Sequence, residues 1–280
     1  MKKEKPSDKT VLITGGSAGI GMIAARSLAE KGYTVYAAAR RLEKMEPLKA
    51  SGVHPVRMDL TDNASIESGL KEILSLSGGI DILINNAGYG SYGAVEDVPI
   101  EEARRQFEVN LFGLAELTRA VLPGMREKKK GRIINISSIA GRIHTPFAAW
   151  YHASKHALEG FNSCLRTEVS PYGIDVVSIQ PGPIRTGWLE ISASNLIKRS
   201  GSGAYAREVD AVSRSFKKIF SIPFASASAE DIARVIVKSA TVKKPATRYI
   251  APFGARLMLF LRWILPDRIL DFVTRKSIGL

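Results

Sequence analysis

Short apolar, β-branched runs alternate along the chain with longer segments whose apolar positions recur at helical spacing. Residues 11–13, 34–39, 55–58, 80–84, 132–136, 174–179 and 248–251 read as strands. Helical patterns fall at 20–31, 42–48, about 62–76 with Thr61 or Asp62 as N-cap, 100–127, 150–171 and 229–240. Several strands are apolar at consecutive positions, which requires cover on both faces. Seven such strands alternating with helices predict an α/β fold: a doubly wound, about seven-stranded parallel sheet with helices on both faces. No linker rich in Pro, Gly and Ser divides the chain, so one domain over 1–280 is expected, with a core at about 9–251. Residues 187–212 are rich in Ser, Ala and Gly and weakly periodic. They follow the sixth strand, where a loop could cover a ligand, and a lid is expected at about 187–215. An extension occupies about 252–280.

Composition narrows the class. With 45% hydrophobic and 24% charged residues the chain can bury a core, which excludes a disordered protein. The one cysteine, Cys164, excludes an intramolecular disulfide and is expected to pack as a small side chain in mid-helix. The net charge of +13 favours anionic partners such as dinucleotides or lipid head groups. Nucleic acid is not expected, because the basic residues are scattered and no recognition motif accompanies them. The N-terminal stretch lacks the apolar run of a secretory signal, and no window is long and uncharged enough to span a bilayer. The expected location is cytoplasmic, with a membrane surface as the one alternative.

The chemistry begins after the first strand, where Thr14-Gly15-Gly16-Ser17-Ala18-Gly19-Ile20-Gly21 leads into a helix. Glycines there allow a tight turn, close approach of backbone to a diphosphate, and helix–strand packing, while the helix N-terminus offers free N–H groups. Gly15, Ser17, Gly19 and Ile20 are the expected contacts. The second strand ends in Ala39-Arg40-Arg41. A carboxylate at this place would take a ribose 2′-hydroxyl, whereas the forked guanidinium suits a 2′-phosphate. Arg40 and Arg41 therefore point to NADP(H), with NAD(H) the less favoured cofactor. Asp59, with Leu60 beside it, could meet the adenine amino group; its competing role is the turn at 59–62. Further on, Tyr151 and Lys155 are four residues apart, on one helix face. An ammonium near a phenol favours the phenolate, and the pair can act as general acid or base on a carbonyl or alcohol. Ser138, Asn86 and Pro181-Gly182 lie at the ends of other strands, at the same sheet edge. His152 and His156 have chelating spacing but no evident third ligand, and no metal is expected.

In combination the sequence resembles the short-chain dehydrogenase/reductase family in its single-domain, Rossmann-type form. The matching motifs are T-G-G-S-A-G-I-G (14–21), N-N-A-G (85–88), Asn110, the set Ser138/Tyr151/Lys155, and P-G-P-I-R-T (181–186). The resemblance implies an oxidoreductase that interconverts a ketone or aldehyde and an alcohol. It implies Tyr151 as proton donor or acceptor, and Lys155 as the group that lowers its pKa and holds the nicotinamide ribose. Ser138 would hydrogen-bond the substrate oxygen, and Asn110 would hold a water linking Lys155 to solvent. Asn86, Ala87 and Gly88 would line the adenosine-ribose side. Pro181, Gly182, Ile184 and Thr186 would support the nicotinamide. Ala18 departs from the pattern of NADP-preferring members, which often carry a basic residue there. The alternative, a non-catalytic NADP-binding regulator or scaffold, is marked by loss of Ser, Tyr or Lys, and all three are present. The resemblance also implies a homo-oligomer, a dimer or tetramer.

Residues 252–280 interleave Leu257, Met258, Phe260, Trp263 and Ile264 with Arg256, Arg262, Arg268 and Arg275, and Pro266 divides two helices. Three readings stand for this extension: a pocket wall, a subunit contact, or an interfacial helix at a membrane. Together with Phe147, Trp188, Leu189 and Ile191 it points to a small hydrophobic substrate, lipid-, steroid- or retinoid-like.

Overall fold

The computed structural model describes residues 6–279 other than 186 and 223, without the side chains at 187–190, 216, 217 and 219–221. Strand β1 (Thr10–Thr14) is buried at every position. Its odd and even residues serve different cores, as a period-2 strand between two helical layers requires. Val11 and Ile13 join one cluster with Ala24, Leu28, Ile232 and Ile236, whereas Leu12 joins another with Ile66, Ile73, Leu117 and Leu165. The first layer is α1 (Gly19–Glu30) with α8 (Ala229–Thr241). The second is α2 (Asn63–Ser77), α4 (Gly113–Glu127) and α5 (Ala149–Val169).

The main sheet has seven strands: β1, β2 (Thr34–Ala39), β3 (Val53–Arg57), β4 (Ile82–Asn85), β5 (Gly131–Ile136), β6 (Ile174–Pro181) and β9 (Arg248–Ala251). Their order is β3-β2-β1-β4-β5-β6-β9, and every neighbouring pair is parallel. This is the doubly wound Rossmann-type sheet. The chain winds outward through β2 and β3, then returns to the other side of β1 at β4. The crevice above the carboxyl ends of β1 and β4 is thus the topological switch point, where open α/β sheets bind ligands. A two-residue pair, β7 (Ile184–Arg185) with β8 (Ala227–Ser228), lies outside the seven predicted strands.

Three expectations are corrected. Residues 42–48 are not one helix but short 3-10 turns, Leu42–Lys44 and Glu46–Ser51. Pro47 lacks the N–H that a continuous α-helix would bond back to the Glu43 carbonyl. Residues 100–127 are helical as expected, α3 (Ile100–Phe107) passing through a π-helical turn (Glu108–Phe112) into α4. The weakly periodic stretch after β6 is not a loop but two helices, α6 (Gly187–Ser200) and α7 (Ala206–Ser221). The buried stripe of α6 is Ser192, Leu196 and Ser200, so two of its three inward residues are polar and the hydrophobic period is hidden. Cys164 is exposed, because it lies off the stripe of α5 that buries Asn162 and Leu165. Beyond β9, α9 (Phe253–Ile264) and α10 (Asp267–Ser277) flank Pro266 as predicted. Among the described residues no helix is long and apolar enough to cross a membrane.

Candidate active site

The glycine turn is fixed by close approach. Gly15 (φ +70°) and Gly19 (φ +54°) occupy the left-handed region that an L side chain disfavours. A Cβ on Gly21 would lie 2.4 Å from the Gly15 carbonyl oxygen and 2.5 Å from Asn86 Nδ2. The turn is tied to the end of β4 by Thr14: its Oγ1 accepts from the backbone N–H groups of Asn86 and Ala87, each at 3.1 Å. Asn86 Nδ2 in turn donates to the Thr14 carbonyl at 3.0 Å. Helix α1 starts after Ala18, whose methyl cannot cap it, so its first N–H groups have no side-chain acceptor at the N-cap. A bare helix N-terminus beside an open glycine is a cradle for a diphosphate, and the residues present fit a dinucleotide.

The end of β2 carries Arg40 and Arg41, both exposed. Among the described residues neither side chain has a hydrogen-bond or ion-pair partner. At the end of β3, Asp59 Oδ1 accepts from the Thr61 N–H at 3.0 Å and the Thr61 hydroxyl at 2.9 Å, which is the turn-forming role. Leu60 is a core residue of the α2 layer.

Helix α5 brings its residues to the ends of β5 and β6. Ser138, Tyr151, Lys155, Pro181, Gly182 and Ile184 line one cavity of about 270 Å³ together with Ile20, Asn86 and Gly88. Lys155 is buried, and Nζ donates to the Ile136 carbonyl at 2.9 Å. Nζ also lies 6.0 Å from the centre of the Tyr151 ring. Burial lowers the Lys155 pKa to about 8, partly opposed by the carboxylate of Glu159 one turn on. Burial also raises the Tyr151 hydroxyl above the ordinary phenol range, and a hydrogen bond from Ser138 acts in the opposite sense. The Lys155 ammonium, meanwhile, donates to the Ile136 carbonyl.

Asn110 sits in the π-helical turn and is 1% exposed. Its Oδ1 accepts from the Tyr89 N–H at 3.0 Å, while Nδ2 donates to the Tyr89 carbonyl and the Ser154 hydroxyl. A Cβ on Gly88 would stand 3.1 Å from Asn110 Oδ1 and 3.7 Å from Lys155 Nζ, so these three converge behind the cavity. Thr186, Trp188 and Leu189 lie outside the described residues or side chains. Ile191 is 63% exposed and does not join the cavity, whereas Phe147 packs beside Tyr151 and Tyr205.

Tyr92, Ile143 and Thr145 line the cavity without a sequence signal of their own, whereas Met258 lines it in keeping with the pocket-wall reading of the extension. His152 carries such a signal only in hindsight. Its Nδ1 is 3.0 Å from the Ala140 carbonyl and 2.7 Å from that of Ile143, so Nδ1 is the protonated nitrogen. Nε2 then accepts from the Thr145 hydroxyl at 2.9 Å, and burial keeps the ring neutral. His152 thereby clamps the loop after Ser138 to the helix of Tyr151.

Residues 9–195 match the family model for short chain dehydrogenases. The chain belongs to that family. The chain is 35% identical over 270 residues to 3-ketodihydrosphingosine reductase of Bacteroides thetaiotaomicron, covering 95% of this chain and 96% of the relative. It is 33% identical over 278 residues to the NADPH-dependent 3-dehydrocapnine reductase of Ornithobacterium rhinotracheale, with 95% and 96% covered. A crystal structure of a short-chain dehydrogenase from Streptomyces avermitilis superposes with a TM-score of 0.79 at 30% identity, covering 100% of this chain and 98% of the other. As a short-chain dehydrogenase the protein is an oxidoreductase that acts on CH–OH or C=O groups of small substrates with a nicotinamide dinucleotide.

Proposed function

We propose that the protein is an NADP(H)-dependent reductase of a hydrophobic, lipid-like ketone or aldehyde, with Tyr151 as the acid. The observation that carries this reading is the one cavity shared by Ser138, Tyr151 and Lys155, whose wall also includes Ile139, Ile143, Ile184 and Met258. The relatives named 3-ketodihydrosphingosine reductase and NADPH-dependent 3-dehydrocapnine reductase support it.

When bound, the reduced nicotinamide supplies the hydride that forms the new C–H bond at the carbonyl carbon. Ser138 Oγ donates to the carbonyl oxygen and polarises the C=O bond. Tyr151 Oη gives its proton to the same oxygen as charge develops there, which completes the alcohol. The phenolate left behind is stabilised by the Lys155 ammonium in a water-poor site, where the attraction is stronger than in solvent. Lys155, held by the Ile136 carbonyl, then returns a proton through the Asn110 side of the cavity. Gly15, Ser17, Gly19 and Ile20 would hold the diphosphate, and Arg40 with Arg41 would take the 2′-phosphate. Asn86, Ala87 and Gly88 would lie along the ribose, and Asp59 and Leu60 would lie toward the adenine, with the Asp59 carboxylate kept in its turn by Thr61. Pro181, Gly182, Ile184 and Thr186 would support the nicotinamide. In this reading one domain spans 1–280 and acts as a cytoplasmic homo-oligomer, with 187–215 as the cover of the site.

A panel of ketones, short and long, assayed with NADPH and NADH tests the reading. Turnover of long-chain ketones with a clear NADPH preference is expected. Equal or better rates with NADH would overturn the cofactor assignment, and preference for small polar ketones would overturn the substrate class.

A further inference from the structure

Helix α9 is amphipathic in the inverted sense. Its small residues Gly254 and Ala255 face inward, and Ala255 and Leu259 pack on Ile139 and Ile143 of the cavity wall. Phe253, Leu257, Phe260, Trp263 and Ile264 are exposed by 45% or more, Trp263 by 81%. The patch continues onto Phe224, whose ring lies 5.7 Å from that of Phe253. Spacings of three and four residues put these side chains on one stripe. A contiguous apolar stripe of this kind marks an interaction surface.

Charge says what covers it. Residues 252–280 hold five basic and two acidic side chains. Asp267 pairs with Arg262 at 2.9 Å, and Asp271 Oδ1 lies 2.8 Å from His144 Nε2. Arg256, Arg268, Arg275 and Lys276 remain without a carboxylate partner among the described residues. Aromatic and aliphatic bulk ringed by unpaired cations matches an anionic bilayer surface, where rings enter the headgroup boundary and cations meet phosphates. A second copy of the chain would bring the same positive charge to the contact.

We infer that α9 docks the enzyme on an anionic lipid surface, with Met258, on the same helix and in the cavity lining, marking the side from which a membrane-dissolved substrate enters. The docking stands by itself; the entry route rests on the proposed lipid-like substrate.

Flotation of the full chain with vesicles of phosphatidylcholine, alone or mixed with phosphatidylglycerol, tests this. Binding to the mixed vesicles that falls with salt is expected, with little binding to the neutral ones. Phe260→Ser with Trp263→Ser is expected to weaken it roughly a hundredfold. Arg268→Glu with Arg275→Glu, both exposed, gives a second loss that does not depend on the aromatic pair. Turnover of a short, water-soluble ketone stays within about twofold in both variants, so failure of docking and failure of the reductase reading are read separately. No flotation with either vesicle, or flotation unchanged in both variants, would overturn the inference. So would a chain that ignores vesicles but loses a self-association on the Phe260/Trp263 change, since the stripe would then belong to a second copy.

Discussion

A Cβ at Gly21 would meet the Gly15 carbonyl at 2.4 Å, with no side chain that could step aside. Across the same cavity, Ile143, Thr145 and Met258 line the wall with side chains from a loop and a late helix. The cofactor side is therefore fixed by main-chain geometry and the substrate side by side-chain choice. A nucleotide common to many enzymes can be held by backbone N–H groups, whereas a particular ketone needs a wall that varies.

The strongest break of this comparison is Gly21→Ala. Overpacking at the turn is expected to cost roughly a hundredfold in NADPH affinity and to lower the melting temperature, read by fluorescence titration and thermal melt. Met258→Ala should leave NADPH affinity unchanged and alter only the KM for ketone. Comparable cofactor losses in both would erase the distinction. Next in size, Arg40→Ala is expected to lower kcat/KM for NADPH about tenfold and to leave NADH unaffected; equal losses with both would assign Arg40 a merely structural role.

The buried lysine gives a pH test. Its folded pKa, about 8, lies below the ordinary 10.5, so between these values the unfolded chain binds more protons. Stability from this group therefore rises with pH across about 8 to 10.5, on the order of 3 kcal/mol in total. Reduction needs the ammonium, so kcat/KM should fall as pH rises through about 8, opposite in sign to stability. Lys155→Met should remove the extra stability gain in that window. A mutant stability profile that parallels the wild type would contradict the assignment.

The smallest effect is expected at Asp59. Asp59→Ala removes the acceptor for Thr61 and should cost about 1 kcal/mol of stability, with NADPH affinity within about twofold. A larger affinity loss would assign the carboxylate to the adenine instead.

The same contrast governs what was legible in the sequence. The seven main strands follow from runs such as Leu83-Ile84, apolar on both faces, and the glycine turn from residues that backbone geometry makes irreplaceable. Tyr151, Lys155 and Ser138 stood out through spacing and strand ends, and the structure brings them into one cavity. Helix α6 was hidden because Ser192 and Ser200 take buried positions where the pattern expects apolar ones. The π-helical turn at Asn110 has no local pattern, and the bonds of Asn110 to the Tyr89 backbone there are tertiary contacts. Tyr92 carries no local signature, since only the packing of distant segments places it at the cavity. The chelating spacing of His152 and His156 says nothing of the clamp that His152 makes on Ala140, Ile143 and Thr145.

Single-turnover hydride transfer in Tyr151→Phe, with NADPH affinity measured in parallel, tests the central claim most directly. The account predicts a fall of about a thousandfold in the chemical step with NADPH binding unchanged. Hydride transfer retained near the wild-type rate would show that the proton comes from elsewhere.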